Sequence, residues 1–100
     1  MYLVLGRRTG EKVFIDDVTL TVNQVTTNST TLAFTKGNES FQVTRKLGAK
    51  IPLRDNVNII VSDINKGQLK LAFEAPREVV ILREELKIKQ DRLAKLATLA

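Results

Sequence analysis

VTLTVNQVTTNSTTLAF (18–34) and VNIIVSDINKGQLKLAF (57–73) are two versions of one pattern, set 39 residues apart. Val18 lies over Val57, Val22 over Val61, Leu32 over Leu71, Ala33 over Ala72 and Phe34 over Phe73, and a polar turn falls at the same place in each. Val18, Leu20 and Val22 share one face while Thr19 and Thr21 take the other; Leu69, Leu71 and Phe73 alternate in the same way with Lys70, Ala72 and Glu74. A period of two marks strands with one face on a core and the other in water. Thr27-Asn28-Ser29 and Asn65-Lys66-Gly67 carry residues that tolerate left-handed backbone, so each copy is expected to form a hairpin.

The repeat extends outward. With an offset of 38, Arg7-Arg8-Thr9-Gly10-Glu11-Lys12 lies over Arg45-Lys46-Leu47-Gly48-Ala49-Lys50. The turn, the Leu-Ala-Phe triplet and the Gly-x-Lys pattern all keep their order, which points to two fused units, about 10–46 and 48–85. A chain that repeats its own strands is expected to be a single-chain pseudo-dimer. Short runs of Val, Ile, Thr, Leu and Phe between Gly, Asn, Asp and Pro place strands near 2–8, 12–16, 18–26, 30–36, 40–46, 50–53, 57–64, 69–75 and 78–83. After Arg83 the composition turns to EELKIKQDRLAKLATLA, strong helix formers without Gly or Pro, which predicts a helix over about 84–98. Glu84 and Glu85 suit its positive end, and Leu86, Leu93, Leu96 and Ala100 form a stripe that needs a partner. The expected fold is all-β with a C-terminal α-helix, and 100 residues leave room for one compact domain, 1–100.

Composition narrows the function. Lys and Arg number 16 against 11 Asp and Glu, a net +5, which biases the partners toward polyanions. There is neither Cys nor His, so disulfides, thiolate metal sites and the commonest general base are excluded. Asp16-Asp17 sits in a turn, no Gly-rich phosphate loop opens a helix, and no carboxylates have metal-ligand spacing. The expectation is a protein that is not an enzyme and takes no cofactor or metal. MYLVLGRRTG (1–10) is too short and ordered the wrong way for a signal peptide, and nothing approaches the roughly 20 apolar residues of a membrane span, so a cytoplasmic protein without membrane contact is expected. Tyr2 and the four Phe are read as core positions, which argues against base-stacking platforms.

LVLGRRTGEKVFI (3–15) resembles the opening of the carbon storage regulator (CsrA/RsmA) family of bacterial translational regulators, with its apolar strand, Arg-Arg pair and Gly-Glu turn. LAFEAPREVVILREEL (71–86) is similar to that family's Ala-Pro, Glu-Val and Arg-Glu-Glu ending. Both ends match strongly and the middle loosely, the surplus length being the second copy of the central strands. The resemblance implies interleaved antiparallel sheets and binding of single-stranded or hairpin-loop RNA, with a preference for GGA in loops of mRNA leaders, on paired edges made by a first and a last strand. Carried over by position, the RNA-binding residues are Leu5, Arg7 and Arg8 on the first strand and Val80, Ile81, Leu82 and Arg83 on the last. A second, degenerate copy is expected, with Thr35-Lys36-Gly37-Asn38-Glu39 in place of Glu74-Ala75-Pro76-Arg77-Glu78 and Thr44 in place of Arg83, so that one site is intact and the other eroded.

An exposed strand edge suits this task, because its free N–H and C=O groups can read splayed bases while Arg side chains reach phosphate or guanine. The plain alternative for Arg7 and Arg8 is protection of that edge against sheet pairing, and for Arg83 a surface ion pair. Pro76 is read as ending one strand and fixing the turn into the next. The alternative function is a protein-interaction module, an antagonist or flagellar-assembly partner that keeps the fold without RNA; a protein antagonist is accordingly a second class of partner. For the assembly, a monomeric pseudo-dimer is favoured over a homodimer.

Overall fold

The computed structural model describes residues 1–85, so the helix expected over about 84–98 and its stripe lie outside the described residues beyond Glu85. Nine strands form among the described residues: β1 (Tyr2–Arg7), β2 (Lys12–Ile15), β3 (Val18–Val25), β4 (Ser29–Lys36), β5 (Glu39–Lys46), β6 (Lys50–Arg54), β7 (Val57–Asn65), β8 (Gln68–Glu74) and β9 (Ile81–Arg83). They build two antiparallel sheets, one ordered β1-β8-β7-β6 and the other β5-β4-β3-β2-β9. The first strand thus joins the sheet made from the second hairpin unit, and the last strand joins the sheet made from the first. This exchange is the interleaving implied by the resemblance, carried out within one chain.

The two units match in detail. The β3–β4 ladder slips between Val22 and Gln24, and the β7–β8 ladder slips 39 residues later, between Val61 and Asp63. Gly10 N donates to Val22 O at 2.7 Å and Gly48 N to Val61 O at 2.8 Å; Val22 N donates to Glu11 O and Val61 N to Ala49 O. An extra residue in a strand bends it and strengthens its twist. Each hairpin therefore bends at the same place, and the turn before β2 or β6 is bonded to the bulge.

Alternation decides what is inside. Val13, Ile15, Leu20, Val22, Leu32 and Phe34 from one sheet and Ile51, Val57, Ile59, Val61, Leu69, Leu71 and Phe73 from the other form one buried cluster, with Leu3, Leu5, Val79 and Ile81 packed against it. The rings at Tyr2 and Phe41 are not in that core: they are 63% and 54% exposed, against the core reading of all five aromatics. Tyr2 stands at the start of an edge strand and Phe41 on edge strand β5, where neither has a sheet beyond it to cover it.

Two turns differ from expectation for physical reasons. The last strand begins at Ile81 and not near 78, because Val79 N closes a turn onto Pro76 O at 3.1 Å. Pro76 has its φ fixed and no N–H to give a ladder, so the chain turns before it can pair. Left-handed backbone occurs in the second hairpin turn, at Lys66 (φ 51°) and Gly67 (φ 79°), but not in the first. There the Thr26 hydroxyl accepts from Ser29 N at 3.0 Å and holds the turn in place of backbone freedom.

Candidate nucleic-acid interface

β1 and β9 are both edge strands, each lying at the end of a different sheet. Pairing of Leu5 with Leu71 and Arg7 with Leu69 sets β1 on β8, while Phe14 opposite Leu82 and Ile15 opposite Ile81 set β9 on β2. The entry to β9 is clasped at one point: Asp16 N donates to Val80 O at 2.8 Å, and Val80 N donates to the Asp16 carboxylate at 2.9 Å.

Arg7 joins the two edges. Its Nη1 and Nη2 donate to Glu85 Oε1 and Oε2 at 3.0 and 3.3 Å, its Nε donates to Gly6 O, and its Nη1 also reaches Lys12 O at 3.5 Å. A planar guanidinium matches a carboxylate in this two-point geometry, which a lysine could not reproduce. The Arg7 side chain is 6% exposed, whereas Glu85 is largely in solvent. Arg7 beside it holds the Glu85 carboxyl down at about 2, from an ordinary 4.5, so the pair stays charged at neutral pH.

The other carried-over residues face outward to different degrees. Arg8 and Arg83 are exposed, and neither side chain has an ion pair or hydrogen bond among the described residues. The Arg8 backbone is fixed instead, its N–H donating to Glu11 Oε1 at 2.7 Å. Val80 is 52% exposed, while Leu5, Ile81 and Leu82 are half-buried. The structure therefore ties the end of β1 to the end of β9 through Arg7 and Glu85, and sets Arg7 beneath the surface; Val80 is held at the other end of β9, against Asp16. Sequence reasoning missed Glu85 as the partner that takes Arg7 out of solvent; the only cue was the acidic pair after Arg83.

The second expected site is organised otherwise. Residues 39–46 do not leave the sheet as 76–83 do; the chain turns back at Gly37 (φ 59°) and pairs β5 along the whole of β4, Phe34 opposite Phe41 and Leu32 opposite Val43. Leu3 is likewise opposite Phe73 and Leu5 opposite Leu71, so β5 corresponds to β1 and not to β9. Thr44 is thus not the counterpart of Arg83; it lies within β5, its hydroxyl bonded to that of Thr31 at 2.9 Å. Arg45 and Lys46, exposed, stand where the first strand has Arg7 and Arg8, and among the described residues no strand lies beyond β6 as β9 lies beyond β2.

Among the described residues no group of three or more His, Cys, Asp or Glu could hold a metal ion, and no helix is long and apolar enough to cross a membrane. A family model described as CsrA, a global regulator protein family, matches residues 41–91. Curated relatives named "Translational regulator CsrA" include one from Clostridium novyi, 50% identical over 44 residues that cover 44% of this chain and 61% of that protein. Another, from Hydrogenovibrio crunogenus, is 38% identical over 50 residues, covering 50% of this chain and 71% of that protein. A third, from Helicobacter pylori, is 44% identical over 45 residues, covering 45% and 59%. Two of the three matches thus span about three fifths of the relative's length. No solved structure matches the chain.

Proposed function

We propose, on the premise that the chain belongs to the CsrA family of global regulator proteins, that it is an RNA-binding post-transcriptional regulator acting in the cytoplasm without catalysis. Its substrate is an unpaired GGA-containing loop in an mRNA leader, and its occupation of that loop controls translation initiation. The observation that supports this reading best is the union of β1 and β9 through Arg7 and Glu85, with Arg8 and Arg83 left exposed on either side of the junction. Bases splayed from a loop can meet the strand edges there, and the exposed guanidinium groups can meet phosphate or guanine. In this reading Leu5 on β1 and Val80, Ile81 and Leu82 at β9 supply the strand edges that the bases meet, and Arg7 acts from beneath by holding the two edges together.

The same proposal treats the two hairpin units as fused copies within one domain. One chain then supplies what two protomers supply elsewhere, and a monomer of 11.2 kDa is expected. The decisive experiment is a gel shift with a GGA hairpin at rising salt. Binding that weakens steeply as salt rises and disappears when GGA is replaced supports the reading; a protein that leaves the hairpin unshifted at low salt refutes it.

A further inference from the structure

Beside β6 the fold leaves a position unfilled. β2 carries β9 on its outer side, but β6, its counterpart in the second unit, has no strand beyond it among the described residues. Register equates Phe14, opposite Thr19, with Pro52, opposite Asn58. Leu53 and Arg54 at the end of β6 line a cavity of about 290 Å³ together with Phe34 and Phe41, with the charged Lys36 and Glu39 also on its lining. That is near the lower bound of small-ligand sites, roughly 300 Å³. Phe41 lies over Phe34 with ring centroids 5.1 Å apart and 17° between planes, and is 54% exposed. One ring face is thus backed by the core while much of the ring remains open.

The chemistry of the rim selects the occupant. Another strand would be poorly served: Asp16 N–H points at the β9 segment, so by alternation the same side of β6 is faced by Pro52, which has no N–H to donate. A phosphate is not favoured either. Lys36 is held by Asp17 at 3.3 Å, and Arg54 by Asp17 at 3.1 Å and by Asp16 at 3.9 Å, so with Glu39 the rim has no excess positive charge. What remains suited is a flat, neutral group that accepts hydrogen bonds beside the place where it donates them. Lys36 and Glu39 are cross-strand partners on either side of the Gly37 turn, placing a donor next to an acceptor. Guanine has that edge, its O6 accepting and its N1–H and N2–H donating.

We infer that this cavity is a second RNA contact, which seats one unpaired guanine against Phe41 with its O6 toward Lys36 and its N1–H and N2–H toward Glu39. The inference rests on the RNA-binding reading, but not on the junction of β1 and β9 at Arg7 and Glu85. Asp17 positions both cations at the rim, and Arg54 closes the side away from the turn.

The test uses two unstructured RNA oligomers, UUGUU and UUAUU, titrated into the full chain with backbone amide shifts as the readout. The expected result is saturable shifts at Phe41, Leu53 and Arg54 with UUGUU and about tenfold weaker binding of UUAUU. Phe41→Leu keeps the apolar packing and is expected to weaken UUGUU about tenfold, Phe41→Tyr to retain it, and Glu39→Gln to remove the preference for G. Shifts confined to the residues around Arg8 and Arg83 overturn the inference while leaving the proposed function standing. Pocket shifts from UUGUU in a protein that ignores the GGA hairpin keep the inference and sink the proposed site at that junction. Guanosine monophosphate binding as tightly as UUGUU, or a peptide with the sequence of residues 76–85 occupying the pocket in its place, also overturns it.

Discussion

Arg7 and Glu85, 78 positions apart in the sequence, meet in a two-point ion pair that ties the end of β1 to the residue following β9. The contact crosses from one sheet to the other, a direct side-chain link between the two edges proposed to hold RNA. Because Glu85 titrates well below its ordinary value, the link has its own pH signature. A carboxylate whose folded value is depressed stabilises the fold above its unfolded value and loses that contribution as pH falls through the folded one. The thermal midpoint of the wild type should therefore exceed that of Glu85→Gln at all pH values above 4.5, and the gap should close between 4.5 and about 2. Scanning both proteins across that window checks it, since carboxylates common to both cancel in the difference; a gap independent of pH contradicts the pairing.

Removing Arg7 is expected to act on stability first. Arg7→Ala leaves the carbonyls of Gly6 and Lys12 without their guanidinium donor and opens a space in a side chain's place that is 6% exposed. A loss of about 1–3 kcal/mol in urea unfolding is expected. Arg7→Lys should recover only part of it, because an ammonium cannot make the two parallel bonds. Full recovery by lysine would reduce the role of Arg7 to its charge.

Arg83→Ala should do the reverse. Its side chain is exposed and makes no hydrogen bond or ion pair among the described residues, so circular dichroism and melting should not change. The gel shift with a GGA hairpin should be mostly lost, and the slope of log affinity against log salt should fall by about 1 for each phosphate contact removed. Hairpin binding that survives this substitution would displace the RNA site from β9.

Gly67 and Gly6 separate backbone freedom from space. Nothing lies within 4 Å of a Cβ added at Gly67, but its φ of 79° is unfavourable for any other residue, and Gly67→Ala should cost about 1 kcal/mol. At Gly6 a Cβ would come 2.7 Å from Gln68 Nε2, the far end of a flexible side chain that can move aside. Gly6→Ala should therefore be close to neutral in the same unfolding assay.

Phe73→Ala tests the shared core. The ring is fully buried on β8, between β7 and β1, and its removal should lower stability by about 3–5 kcal/mol. Because both sheets pack on that cluster, fluorescence-independent probes such as amide exchange should show protection falling in β3 and β4 as well as in β7 and β8. A loss confined to one sheet would show two separable cores.

Most of the fold was legible because it rests on local alternation. Val18-Leu20-Val22 and Leu69-Leu71-Phe73 commit one face to the core whatever the distant partners are, and the strand bounds follow within a residue or two for eight of the nine strands. The ninth escaped because Pro76 and Val79 form a turn whose existence depends on geometry and not on apolar content. Site residues were less legible. An arginine next to an arginine gives no sign of which is buried; Arg7 is, because its place on β1 points it at Glu85, while Arg8 lies past the strand end. Phe41 looks like Phe34 in the sequence, yet one lies on an edge strand and the other one strand inside it.

The exchange of terminal strands has a consequence for how the molecule comes into being. β1 cannot find its ladder until β8 has been made, and β2 remains without its outer neighbour until Ile81–Arg83 exist. Early segments must therefore wait for late ones, a wiring that slows folding because distant closures precede their reward. A nascent chain halted before Ile81 is expected to hold its first hairpin in a protease-sensitive form, which limited digestion of arrested ribosome complexes can measure. Under the proposed site, a chain made only as far as Val80 lacks both the β9 edge and the carboxylate that holds Arg7, so RNA engagement is expected only after Glu85 has been added.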